Sequence, residues 1–432
     1  MAAAFNARRL EQLAPGLPSP SSDWNRAQWL QAALLLNPQL AEARAQVAAS
    51  VAGERTAAEY PNPTLNLFTE YVGGAAHSAN WLYGLSLDFL LRRPGERTRA
   101  RHYAAVQTAL AKSDLTESVW SVRAALRQAL LDVASSRDQA ALLAELIAER
   151  QTLLDSDRAR AAAGDIARTQ VLSDELELSR AQQRLRHEQA RGVDAASRLA
   201  AAVGVPQSAL ETPSAHWDDW ADIDALAGTP PDNLRGAALV GRPEIVQALR
   251  QYDLAEIGLQ NEIAKRWPEV HLTPGYAWGD QGVREDPLND FTQETAVGVN
   301  FELPLFNQHQ GPIGEALARR DAAGEHLIAV QAQLFEQIDR AEIAWPRARK
   351  AWADAVGMTD IADRQQAVEQ RALSAGAGDR ASLASAQVAA TEARLLQLAA
   401  AYDAQLAFGA LEDAYRRPLQ GSEGELPEGP RS

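Results

Sequence analysis

The sequence predicts a mainly α-helical chain carrying membrane β-strands, with one helix–strand–strand–long helix–helix unit present twice. Three observations predict this architecture. Blocks of sequence recur at fixed offsets, apolar residues return at helical spacing over very long stretches, and four segments alternate apolar with polar side chains.

The repeat is read most directly by setting Leu36–Tyr71 beside Gly241–Tyr276. Pro38, Pro63, Leu67 and Tyr71 fall on Pro243, Pro268, Leu272 and Tyr276, each 205 positions later (38 to 243) with no gap. Further on, YGLSLDFLLRRPGERTRAR matches VGVNFELPLFNQHQGPIGEA, with Gly84 on Gly298 and Phe89 on Leu303. A third block sets Gly164-Asp165 on Gly378-Asp379, 214 positions apart (164 to 378). The matched prolines and glycines stand at element boundaries, where a duplicated unit would keep them.

The elements follow in order. A Pro- and Ser-rich flexible lead-in covers about residues 1–24. The first copy spans about 25–204, a linker about 205–231, the second copy about 232–418 and a flexible tail about 419–432. Each copy opens with a helix, about Asn25 to Glu59 and about Asp232 to Lys265. Pro61 and Pro63 close one and Pro268 the other, because proline cannot continue a helix. Strands are expected at about 63–72 and 81–91, then at about 269–279 and 292–305. The long helices, about Gly95 to Ala163 and Pro312 to Ala375, would each be about 100 Å long at about 1.5 Å per residue. The last helices run about Ile166 to Val203 and Arg380 to Tyr415. Leu327, Val330, Leu334, Ile338, Ala341 and Trp345 draw one apolar line at helical spacing. The linker holds Trp217 and Trp220 and is expected to fold across the helices. At Ala163-Gly164-Asp165 and Gly376-Ala377-Gly378-Asp379, glycine is expected to end one helix in the left-handed conformation and Asp to cap the next.

The strands share one parity. Leu65, Leu67 and Tyr71 oppose Asn66 and Glu70, with Phe68 breaking the rule. Trp81, Tyr83, Leu85, Leu87, Phe89 and Leu91 oppose Gly84, Ser86 and Asp88. Val270, Leu272, Tyr276 and Trp278 oppose His271, Thr273 and Gly275. Val297, Val299, Phe301, Leu303 and Leu305 oppose Asn300 and Glu302. Each segment is about the length that crosses a bilayer when tilted, and aromatics gather near several ends. The tips VGGAAHSAN and DQGVREDPLND are longer and more polar than minimal turns. One reading is a soluble sheet packed on helices. The other sets Leu85, Leu87, Phe89, Val297, Val299, Phe301 and Leu303 against lipid, and Asp88, His271, Asn300 and Glu302 against channel water. Four strands cannot close a barrel and an open edge cannot sit in lipid, so the second reading demands several chains. Three chains of four strands give twelve, the membrane part of a trimeric barrel.

Composition excludes other classes. The net charge of −15 argues against nucleic acid. With no cysteine there is no disulfide, thiolate metal site, cysteine nucleophile or N-terminal lipid-anchored Cys in these residues. No apolar run approaches the roughly 18–20 residues of a membrane-spanning helix. The start MAAAFNARRL shows no apolar signal-peptide core; a cytosolic protein is one reading of this and a trimmed or misassigned start is the other. His77, His102, His187, His216, His271, His309 and His326 make no close metal-ligand pair, and neither a phosphate-binding loop nor a nucleophile elbow is present. No enzyme, cofactor or resident metal is expected.

The segments LNPQLAEARAQV, YPNPTLNL, LDFLLRRPGERTRAR and LPLFNQHQGPIGEA, with the duplicated AGD stretches, resemble the TolC family of outer-membrane efflux channels. They resemble more closely its heavy-metal and cation efflux branch, in which PLFN followed by a glycine is common. The resemblance covers about Trp24 to Pro418. It implies a trimer in the outer membrane, with a twelve-stranded barrel over a helical tunnel through the periplasm. It implies a periplasmic adaptor at the tip and, through it, an inner-membrane pump of the resistance-nodulation-division type. Tip and adaptor contact would then fall to Gly164, Asp165, Ile166, Gly376, Gly378, Asp379, Arg380 and Ser382. The barrel-to-tunnel crossing would fall to Pro94, Gly95, Pro304, Gly311 and Pro312. Where relatives narrow the tunnel with aspartates, this chain has Ala384 and Gln387. The expectation is a passive exit duct for metal cations or small toxic compounds; a soluble periplasmic coiled-coil scaffold or adaptor is the alternative.

Overall fold

The computed structural model describes residues 24–72, 80–210, 217, 219–226, 236, 241–280 and 291–419. The lead-in, the tail from residue 420, both strand-hairpin tips, much of the linker and the expected start of the second copy's first helix lie outside the described residues.

The order is α1 (Arg26–Leu36), α2 (Pro38–Ala58), β1 (Thr64–Val72), β2 (Asn80–Leu91), α3 (Glu96–Ala163), α4 (Arg168–Val203), α5 (Pro243–Ala264), β3 (Val270–Asp280), β4 (Phe291–Phe301), α6 (Gln310–Ser374) and α7 (Arg380–Tyr415). A 3-10 turn, Gln207–Ala209, follows α4. From α2 onward the second half repeats the order of the first.

Two sequence expectations change. The first helix does not run unbroken from Asn25 to Glu59, because Pro38 forces Asn37 out of the helical region to φ −62°, ψ 124°. Asn37 turns the break into a joint. Its Nδ2 donates to Ala202 O at 2.8 Å, and its Oδ1 accepts from Gln39 N at 2.9 Å. The fourth strand stops at Phe301, not near residue 305. Its partner β3 begins at Val270, opposite Phe301, so residues beyond have nothing to pair with. Leu303, expected on the strand, lies past its end, where Leu305 N donates to Leu303 O at 2.8 Å in a tight turn before α6.

The chain forms two compact units. One comprises residues 1–44, 115–243 and 331–432. Its main core holds Trp29, Leu126, Leu130, Ile338, Trp345, Phe408 and Leu411, together with the linker residues Trp217, Trp220 and Ile223. Trp220 is fully buried, donates from Nε1 to Asp138 at 2.8 Å, and accepts at its carbonyl from Gln405. Apolar burial of two indoles from the linker fixes that irregular segment against the helices.

Gly204 closes α4 at φ 86°, its N–H bonded to Ala200 O and Ala201 O. A Cβ there would meet Asn37 Cα at 2.8 Å and Leu36 O at 2.9 Å. Gly204→Ala is therefore expected to destabilise the chain by about 2–5 kcal/mol. That range adds a left-handed penalty of about 1–2 to overpacking of about 1–3. A lowered midpoint in thermal unfolding followed by helical circular dichroism would register it.

The other unit comprises residues 45–114 and 244–330. It holds an antiparallel sheet in the order β1-β2-β3-β4. Helical arginines fasten the chain beside it. Arg97 donates to Ala58 O at 3.0 Å and to Tyr60 OH at 2.6 Å, and Arg99 donates to Asn261 Oδ1 at 2.9 Å.

Candidate functional site

The sheet is two-faced. On one face the register aligns Leu65 with Leu87, Leu67 with Leu85, Leu272 with Phe89 and Val299, and Val270 with Leu91 and Phe301. No helix of the same unit covers this face: Leu67 is 72% exposed, Val297 68% and Val299 53%. Apolar area left open on this scale contradicts a soluble sheet packed on helices. Toward the strand ends far from the helices, the same face carries a continuous aromatic row. Tyr71–Trp81, Trp81–Tyr83, Tyr83–Trp278 and Tyr276–Trp278 have ring centroids 5.1, 6.5, 6.3 and 5.7 Å apart. Aliphatic rows bounded by such a row match the layering of a membrane barrel.

The opposite face carries Asn66, Glu70, Ser86, Asp88, His271, Thr273, Glu294 and Asn300, with Glu302 just past the end of β4. His271 Nδ1 lies 2.9 Å from Asp88 Oδ1, both half-buried, a pairing that explains His271 without a metal. No group of three or more metal-ligating side chains occurs among the described residues. Phe68, the exception to the parity, lies on this polar face opposite Gly84. A Cβ on Gly84 would stand 2.2 Å from the Phe68 ring, so the ring occupies the space that the missing side chain leaves.

The connections from strand to helix are specific. After β2, Pro94 and Gly95 form a turn with Gly95 at φ 75°, and Glu96 N donates to Arg93 O. Arg93 holds this turn to the start of β3, donating to Trp267 O at 2.8 Å and to Glu269 Oε2 at 3.2 Å. After β4, Pro304 lies in the crossing, but Gly311 and Pro312 stand inside the first turn of α6, where proline is tolerated. The left-handed residue there is His309, φ 60°, whose N–H donates to Asn307 Oδ1. Sequence reasoning missed Arg93 and His309; neither type marks such a role by itself.

At the helical hairpin turns, Gly164 is left-handed as expected, φ 84°, with Asp165 N donating to Arg160 O. Asp165 does not cap α4; the N-cap is Ala167, without a side-chain cap. In the second turn the left-handed glycine is Gly376, φ 73°, with Ala377 N donating to Ala372 O. Gly378 serves differently: a Cβ there would meet Leu373 N at 2.7 Å. Asp379 is the N-cap residue of α7, again without a side-chain cap bond. Gly164 therefore corresponds to Gly376 and Ala167 to Asp379, both 212 positions apart, rather than to the Gly-Asp pairing read from identity. The long helices explain it, since α3 has 68 residues and α6 has 65. Gly164, Asp165, Gly376, Asp379, Arg380 and Ser382 are exposed, and Ile166 and Gly378 half-buried.

The comparisons with known proteins agree with this geometry. The model of the family described as outer membrane efflux protein matches residues 29–205 and 234–415. No curated protein sequence matches the chain. Among solved structures, the chain is similar to the outer-membrane channel OprN, with TM-score 0.75 and 17% identity over 92% of this chain and 91% of that one. It is similar to CusC, with TM-score 0.72 and 15% identity over 90% and 92%. It is also similar to the outer membrane protein VceC of Vibrio cholerae, with TM-score 0.70 and 16% identity over 93% and 100%. At such identities the likeness to these structures is one of fold, while the family match spans most of the sequence. The chain belongs to the outer membrane efflux protein family and is an outer-membrane channel, not an enzyme.

Proposed function

We propose that three copies of the chain form a passive exit duct through the outer membrane and periplasm. The observation that carries this reading is the four-stranded sheet with an open apolar face and two unpaired edges, β1 and β4. Lipid tolerates the face but not the edges, because unpaired backbone groups cost several kcal/mol each in hydrocarbon. Pairing β4 of one copy with β1 of the next removes every edge, and three copies make a twelve-stranded barrel. Leu85, Leu87, Phe89, Val297, Val299 and Phe301 then face lipid, and Asp88, His271, Asn300 and Glu302 face the channel. A second support lies in the helices. In its own unit α6 leaves Phe335, Ile343, Met358, Ile361 and Val368 exposed, an apolar stripe that a neighbouring copy would cover.

The turns at Gly164–Ile166 and Gly376–Ser382 are the docking points for a periplasmic adaptor, through which an inner-membrane pump of the resistance-nodulation-division type delivers cargo. Metal cations or small toxic compounds are that cargo. The strands contain no Lys or Arg, while their polar face carries Glu70, Asp88 and Glu294, which suits cations. The test is mass and unheated gel mobility of the detergent-extracted protein, followed by reversal potentials in planar bilayers. A trimer selective for cations is expected. A monomer soluble without detergent would sink the duct, and anion selectivity would sink the cargo class.

A further inference from the structure

The α3–α4 hairpin presses two carboxylates together with no donor between them. Asp157 lies on α3 about two turns before Gly164, its side chain 8% exposed. Asp174 of α4 approaches it at hydrogen-bonding distance, and Asp174 Oδ2 is buried without a donor. Two ionised carboxylates are acceptors only, so this contact is favourable only when one of them carries a proton.

Charged and polar groups surround the pair. Arg160 Nη1 lies 3.2 Å from Asp157 Oδ1. Around Asp174, Gln170 Nε2 donates to Oδ1 at 3.1 Å. Arg150 of α3 acts on Asp174 from farther away, but its guanidinium is committed to Glu392 of α7 at 2.5 Å and lies 3.7 Å from Glu177 of α4. Beside the two carboxylates stands the exposed cross-hairpin pair Arg158–Glu175 at 2.7 Å. Burial foremost, then the hydrogen bond with Asp157 and its charge, push the Asp174 carboxyl above its ordinary range. The apolar seal here is small, with Leu154, Val171 and Leu178 as its buried members.

We propose that Asp157 and Asp174 are a proton-operated latch on the α3–α4 hairpin: one shared proton clasps the helices near their turn, and its loss drives them apart. The sign follows from linkage. The folded hairpin holds a proton that the open chain releases, so the latch is fully closed below the ordinary carboxylate value of about 3.9. It is lost as pH rises through the raised value of Asp174. The latch stands whether or not the turn docks to a partner.

The chain has no cysteine, so the exposed pair Ala159→Cys and Thr169→Cys gives two unique spin-label sites in the full-length, detergent-extracted protein. In the otherwise unaltered chain, the short-distance population between the labels is expected to fall as pH rises from about 4, the ordinary carboxylate value, to about 9. Asp174→Asn, whose amide donates to Asp157 in place of the proton, is expected to hold that population at both pH values. Asp157→Asn, donating in the other direction, is expected to do the same and is read should the first variant fail to assemble. Distances independent of pH in the unaltered chain would overturn the latch, as would an Asn variant that opens with pH as the unaltered chain does.

Discussion

Replacing Glu412 by Ala is expected to cost about 3–5 kcal/mol of stability, the loss typical of breaking a buried ion pair from one side. Glu412 lies on α7 with its side chain 2% exposed. Its Oε2 accepts from Arg123 Nη2 at 2.9 Å and Arg127 Nη1 at 3.0 Å, and its Oε1 accepts from Leu419 N at 2.8 Å. Asp413 takes Arg127 Nη2 at 2.9 Å, but its side chain is 28% exposed. Gly409 makes the room: a Cβ there would stand 2.2 Å from the Arg127 guanidinium carbon. The cost comes from what remains. Two guanidiniums on α3 keep their charge in a dry layer after losing the carboxylate they share, with Asp413 at the layer's edge. Glu412→Gln keeps the shape and one acceptor and should lose less. Glu336→Ala, which removes an exposed partner of Arg340, should cost under about 1 kcal/mol. Unfolding midpoints of the three variants in one detergent would rank them. A Glu412→Ala shift no larger than that of Glu336→Ala would show that the cluster contributes no more than a surface pair.

That cluster also marks where the sequence stops being legible. Arg123 and Glu412 are 289 positions apart, and no period, motif or offset pairs them. The strands were legible because alternation is a local record of a two-sided environment, and the β1–β2 and β3–β4 pairings follow from short connections; the β2–β3 pairing joins Leu91 to Val270 across two long helices and is not written in either strand. Lengths were less so. The end of β4 depends on where β3 begins, a fact of the partner and not of β4 itself. The hairpin turns failed in an instructive way. Matching letters put Gly164 on Gly378, whereas the left-handed position is set by where each long helix stops, which puts Gly164 on Gly376. The Asn37 joint was within reach, since Pro38 restricts the residue before it whatever helical pattern surrounds it.

Arginine at Val297, Val299 and Phe301 is expected to impair membrane assembly in graded order. These residues share one face of β4, opposite Pro274, Leu272 and Val270. The aromatic row at Tyr83 and Trp278 bounds that face on one side and Leu91 with Phe301 on the other. From Tyr83 to Leu91 the strand runs about 26 Å at about 3.3 Å per residue, or about 20 Å of height at a barrel tilt of about 40°, which lies within an apolar band about 25 Å tall. The Leu87–Val297 row therefore lies nearest the midplane. Arg at Val297 should cost about 2–4 kcal/mol, falling toward about 0–1 at Phe301, with Val299 between. Asn300→Arg puts the same charge on the same strand, one residue from Val299, but on the polar face. It should leave extraction and oligomer yield near those of the unaltered chain. The comparison separates membrane energy from any general intolerance of Arg on an edge strand, because both substitutions load the same backbone. Equal yields for Val297→Arg and Asn300→Arg would mean that the two faces of the sheet do not meet lipid and water as assigned.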